Sequence, residues 1–177
     1  AAMKIGCKIL VVALFLCSGG CVIGSRQLQT LRQLFLEPNA ELSPHVWEVE
    51  FAGYSALVTP VVADGKNCFV NDNSDLLKFN GWIITEAKGL KRFERSWAIF
   101  DEGKERHFSY LGQIKAVHTC EPWVNIHADT YTQFLQSCAG ERGYTNTILV
   151  DSLGRIISIE QVLDDSGNIL SLQLRED

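Results

Sequence analysis

Leu76-Leu77-Lys78-Phe79-Asn80-Gly81-Trp82-Ile83-Ile84-Thr85 decides the reading of this chain. Two short apolar runs, Leu76–Phe79 and Trp82–Thr85, flank an Asn-Gly pair. Both turn residues tolerate a positive φ, so the pair predicts a tight hairpin between antiparallel strands. Upstream, Val46, Glu48 and Glu50 alternate with Trp47, Val49 and Phe51, and Tyr54–Ala63 is β-branched and apolar. Pro60 inside that run predicts an edge or a bend. Downstream, Arg92–Phe100, Arg106–Ile114 and Trp123–His127 read as strands, and Thr130–Cys138 reads as strand or short helix. Tyr144–Val150, Arg155–Leu163 and Ile169–Leu174 follow, joined by Asp151-Ser-Leu-Gly154 and Asp164-Asp-Ser-Gly-Asn168, both good hairpin loops. Leu170, Leu172 and Leu174 alternate with Ser171 and Gln173, so one face is buried and the other wet.

Strands separated by short turns predict a mainly β fold, an antiparallel meander over residues 40–177. With about ten strands, an open flat sheet is unfavourable, and a half-barrel, barrel or sandwich is expected. One helix precedes it. Ser25 caps a run in which Leu28, Leu31, Leu34 and Phe35 recur at helical spacing, and Pro38-Asn39 ends it.

The chain has 177 residues, 46% hydrophobic and 21% charged, with net charge −5. That composition excludes a multi-span membrane protein and a disordered chain, and its acidity argues against a nucleic-acid partner. The charge is unevenly spread. Residues 1–20 hold Lys4 and Lys8, no acid, and the apolar run Ile9–Cys17. The run is too short to span a bilayer as a helix, and it has the length of a signal-peptide core. Ser18-Gly19-Gly20 then precedes Cys21. A small residue followed by Cys is the pattern at which bacterial lipoproteins are acylated and cut, although Ser18 stands where Leu is usual. Cys17 is a poorer candidate, with Leu16 before it, and the rival reading is ordinary secretion with cleavage near Gly20 or Gly24. The expected division is a signal peptide over 1–20, a lipidated tether with the helix over 21–39, and the β domain over 40–177. Acylation at Cys21 would anchor the domain at a membrane surface without crossing it. Val22 rather than Asp follows Cys21, so no inner-membrane retention signal is evident.

Six cysteines are present, and three of them, Cys68, Cys120 and Cys138, lie beyond Cys21. An odd number in an exported domain allows one bridge and one free thiol. Cys120 and Cys138 flank a loop-sized segment and are the candidate pair; three free buried thiols is the other reading.

Motifs of catalysis are not found. His118-Thr-Cys120 with His127 fits no zinc spacing, and Cys120, His118 and Asp129 make a triad only on paper. Asp101-Glu102 and Asp164-Asp165 read as solvated turn acids, not a glycosidase pair. No P-loop or dinucleotide fingerprint occurs. No cofactor, metal or catalytic residue is therefore expected. Lys88, Lys91, Arg92 and Arg95 crowd four basic groups into eight positions. They read as a receptor for an acidic glycan or phospholipid head group, or as a charged turn and edge that resists aggregation. Trp47, Trp82, Trp97 and Trp123 could stack on sugar rings, although Trp47 and Trp97 sit among apolar neighbours and read as core.

Asp75-Leu-Leu-Lys-Phe-Asn-Gly-Trp-Ile-Ile-Thr-Glu-Ala-Lys-Gly-Leu90, following Cys21 and a helix ending near Leu34-Phe35, resembles the middle of the group 4 capsule lipoproteins of the YjbF/GfcB type. Asn146-Thr-Ile-Leu-Val-Asp-Ser-Leu-Gly-Arg155 resembles that family's closing hairpin. The resemblance implies an outer-membrane lipoprotein with its domain facing the periplasm. It also implies a mostly antiparallel β fold and a non-enzymatic accessory role in capsule or exopolysaccharide export. Polysaccharide-export proteins or the glycan itself would be its partners, and Cys21 is the one functional position that carries over. The competing expectation is a half-barrel carrier of lipid or another hydrophobic ligand, which would need a large apolar cavity.

Overall fold

The computed structural model describes residues 45–175, with 64 excepted. Cys21 and the expected N-terminal helix lie outside the described residues. Those described form thirteen strands in one sheet. They are β1 Trp47–Phe51, β2 Tyr54–Ala63, β3 Lys66–Val70, β4 Leu76–Phe79, β5 Ile84–Gly89, β6 Phe93–Glu102 and β7 Glu105–Tyr110. Then come β8 Gln113–Cys120, β9 Val124–His127, β10 Tyr131–Ala139, β11 Tyr144–Asp151, β12 Ile156–Val162 and β13 Ile169–Leu174.

Each strand from β1 to β8 pairs antiparallel with the next, and β13 returns to pair with β1 along Trp47↔Leu174 to Phe51↔Leu170. β10 pairs with β11 on one edge and with β8 and β9 on the other, which closes a 12-strand antiparallel barrel. β8 and β9 thus share one place in the ring. The interruption between them is Glu121-Pro122-Trp123, where Pro122 has no N–H to give to a ladder. Antiparallel neighbours put successive turns at alternate ends. The proximal end is where β1 begins and β13 finishes, with the turns after β2, β4, β6, β9 and β11. The distal end has the turns after β1, β3, β5, β7, β10 and β12.

Period-two alternation sorts the side chains. Trp47, Val49, Phe51, Leu77, Phe79, Ile99, Phe108, Ile148, Leu170 and Leu172 share the inner face and are buried. Each fully buried side chain of this size contributes about 2 kcal/mol. Glu48, Glu50, Lys78, Glu86 and Gln173 face out. A membrane-spanning barrel has the reverse alternation, apolar outside and polar within. No helix among the described residues is long and apolar enough to cross a membrane.

The interior is filled from both walls. β5 and β12 stand half a ring apart, yet the Gln161 side chain accepts from the Ile84 N–H at 2.7 Å and donates to the Ile84 carbonyl at 3.1 Å. Phe51 on β1 meets Phe93 on β6 with ring centroids 5.5 Å apart. The barrel is packed through its middle as a sandwich is.

Local differences from the sequence reading have physical causes. Asn80-Gly81 marks a real hairpin, but its loop is longer than two residues. The Asn80 carboxamide oxygen accepts from the N–H groups of both Trp82 and Ile83 at 2.9 Å. That side-chain turn takes Trp82 out of the strand, which begins at Ile84. The expected strand Arg106–Ile114 is instead divided by a turn at Leu111-Gly112, both at positive φ (53° and 74°). Thr130–Cys138 resolves as strand β10. Pro60 lies past Val58, the last β2 residue paired with β1, so its missing N–H is on a locally open edge.

Candidate functional site

At the distal end, the segment from Asp75 to Leu90 is a clasped unit. Asp75 is buried, and its Oδ1 accepts from the Leu90 N–H at 2.7 Å. Its Oδ2 accepts from the Tyr54 hydroxyl at 2.6 Å and from the Asn71 carboxamide at 2.8 Å. The Asp75 carboxylate holds the Tyr54 proton and raises that hydroxyl above its usual pKa. Gly89, Leu90 and Lys91 all have positive φ, at 83°, 54° and 54°. A Cβ on Gly89 would collide with Asp75 Oδ1, so only glycine fits. Two consecutive non-glycine residues in this region store strain that the clasp must hold.

Lys91 and Arg92 project from this strained turn, with Lys88 and Arg95 on the strands beside it, and all four are exposed. They do not act as four equal cations. Arg92 pairs with Asp164 at 3.1 Å and lies 6.0 Å from the Phe51 ring centroid. Lys91 Nζ lies 5.3 Å from the Tyr54 ring centroid. Asp164 is not the solvated turn acid expected: its side chain is 1% exposed. Its Oδ1 accepts from the N–H groups of Ser166 and Asn168, and its Oδ2 from the Asn168 carboxamide. A carboxylate this deeply buried needs its cation, so Arg92 is a structural partner. Lys88 and Arg95 are exposed on the strands either side of the turn.

The ring closes at β8–β10, where a disulfide joins Cys120 and Cys138, residues directly opposite one another. Cys68 is free and buried. With its sulfur bonded to Cys138, Cys120 offers no thiolate to His118, whether for zinc or for a triad. No group of three or more metal-ligating side chains occurs among the described residues.

Beside the disulfide, the inner face is polar. Arg106 is fully buried; its Nε and Nη2 donate to Asp101 at 2.8 and 2.9 Å, and its Nη1 has no hydrogen-bond partner. His118 Nδ1 and the Tyr144 hydroxyl are 2.9 Å apart. Burial pushes Tyr144 up to about 12, against the pull of Arg106. Burial, then the Arg106 charge, hold His118 below the usual histidine value. Asn146 donates to Gln136 and accepts from the Val162 N–H at 3.1 Å. Asp101 is not the solvated turn acid expected: it lies on β6 as the partner of buried Arg106, and the patch as a whole forms only when ring closure brings β7, β8, β10, β11 and β12 together.

Aromatic rings gather where the turn after β4 meets the break between β8 and β9. Trp82 and Trp123 are half-buried, with centroids 5.3 Å apart, and Phe134 meets Trp82 edge-on. Trp47 and Trp97 are core residues, 3% and 6% exposed. Outside this pair, Val124, Ile126 and Tyr131 are exposed on the outer face, and Leu153 stands at the tip of the β11–β12 turn.

No family model matches the chain, and no curated protein matches it. Among solved structures, it resembles the crystal structure of the hypothetical lipoprotein YmcC from Escherichia coli (K12). The TM-score is 0.53 at 10% sequence identity, over 84% of this chain and 88% of that one. The likeness is one of fold: the two chains share this antiparallel β architecture over most of their lengths.

Proposed function

We propose that the chain is a membrane-anchored lipoprotein acylated at Cys21. It acts as a non-enzymatic accessory factor in capsule or exopolysaccharide export, at the outer membrane with its barrel in the periplasm. The observation that carries the reading is the Asp75–Leu90 clasp. The stretch that resembles the capsule lipoproteins is one structural unit, whose two ends are joined through the Asp75 carboxylate. The apolar run and small residues before Cys21 support the anchor. So does the fold shared with a protein described as a lipoprotein. The carrier reading is disfavoured by the Gln161–Ile84 bridge, which crosses the space a lipid would occupy.

Globomycin, which blocks lipoprotein signal peptidase, should make the uncleaved precursor accumulate. Unchanged processing would sink the anchor. Deleting the gene should lower surface polysaccharide, and Cys21→Ala should fail to restore it. Normal polysaccharide in the deletion strain would sink the export role and leave the anchor standing.

A further inference from the structure

We infer that the proximal corner of the barrel docks onto the lipid surface, through Val124, Ile126, Tyr131 and Leu153. The inference rests on the anchor at Cys21 and goes beyond it, because it assigns the membrane a second, non-covalent contact.

Three observations carry it. First, these residues form one surface. Tyr131 is paired with Asp151, and Ile126 and Val124 are paired with Gln133 and Leu135 on the same strand as Tyr131. The β9–β10 and β11–β12 turns therefore stand side by side. Second, the surface is apolar and exposed. Leu153 is 76% exposed at a hairpin tip, where a polar residue is the norm, and Val124 and Ile126 are 59% and 53% exposed. Tyr131 adds a ring with a polar end, suited to the boundary between head groups and acyl chains. Third, the chain that bears Cys21 runs into β1 at this end. Residues 45–46 lead into Trp47, and the Arg175 N–H donates to the Val46 carbonyl at 3.0 Å, so both strand ends lie there. A lipid at Cys21 would tether the barrel through the chain that enters β1 at this end.

Charge sets the kind of contact. Asp151 is paired with Arg155 at 2.7 Å, and Asp129 is the exposed acid in the β9–β10 turn. Nothing at this corner attracts anionic lipid, so docking is by apolar insertion and insensitive to salt. The basic residues Lys88 and Arg95 belong to the strands that bound the turn after β5, at the distal end.

The test uses the full chain carrying Cys21→Ser, which removes the acyl anchor, and vesicles of phosphatidylethanolamine and phosphatidylglycerol. The chain should sediment with the vesicles at low and high salt. Leu153→Asp with Ile126→Asp should weaken partitioning by at least about tenfold. Leu153→Ser alone should give a smaller loss, and Lys88→Ser with Arg95→Ser should leave it unchanged. Matching thermal melts would show that the variants fold, as expected at exposed positions. No sedimentation, an unaffected Leu153/Ile126 variant, or a loss confined to the Lys88/Arg95 variant would each overturn the docking. Normal globomycin sensitivity alongside such a result would mean that the lipid anchor works without the corner.

Discussion

β10 has two edges, and they are closed by different means. Along β11 it makes a continuous ladder from Tyr131↔Asp151 to Cys138↔Tyr144. Along β8 it pairs only at Cys138↔Cys120 and Ala139↔Thr119, and the disulfide sits on the first of these. Where both strands are continuous, backbone hydrogen bonds close the ring. Where Pro122 interrupts the partner, a covalent bond does. The second edge is therefore the one whose integrity depends on an oxidising environment.

The largest expected effect comes from removing that bond. Cys120→Ser with Cys138→Ser, or reduction of the wild type, should cost about 3 kcal/mol in urea unfolding. Hydrogen exchange should speed up along β8 and β9 while the β10–β11 ladder stays protected. Equal loss on both edges would erase the distinction between them.

The next variant attacks the laddered edge. Asn146→Ala leaves the buried Val162 N–H without its acceptor and should cost about 2 kcal/mol. Its amide also donates to Gln136 at 3.3 Å and to the Cys138 sulfur at 3.6 Å, so the cost should differ between oxidised and reduced protein. Gly140→Ala is smaller, about 1 kcal/mol, since the new Cβ lies 2.8 Å from the His118 ring, which must shift. Its cost should shrink once the disulfide is reduced and β8 is free to move.

The smallest effect is a pH dependence. His118 is held below its usual value of 6.5, so the folded state prefers it neutral. A depressed histidine favours folding above the unfolded pKa. That contribution is lost as pH falls below about 6.5, because the unfolded chain takes up the proton first. Thermal melts from pH 8 to pH 5 should therefore decline more steeply for the wild type than for His118→Gln. Parallel curves would show that His118 does not sense the seam.

Legibility in the sequence followed the range of the interactions. Asn80-Gly81, the Leu170-Leu172-Leu174 alternation and the Asp151–Gly154 turn act within a few residues, and each was readable as part of a β meander. Leu111-Gly112 was missed because leucine is not a turn residue, and only the β7–β8 pairing forces it to a positive φ. Asp164 looked like one more hairpin acid until tertiary packing brought Arg92 to it. Arg106 reads as a strand-surface cation, and only ring closure turns its position inward. The basic cluster was visible as composition, but its division into a structural Arg92, a Lys91 over Tyr54, and outward Lys88 and Arg95 was not.

The return of β13 to β1 also bears on how the molecule is made. From β1 to β8 each strand finds its partner in the next stretch of chain, so successive hairpins can assemble locally and fast. β1 alone must wait for the last strand. A chain that emerges N-terminus first exposes one edge of Trp47, Val49 and Phe51 throughout synthesis, until Leu170 and Leu172 arrive. That open apolar edge is an aggregation hazard. The step that ends the hazard joins the two most distant strands in the sequence, so it is the pairing with the largest loop to close.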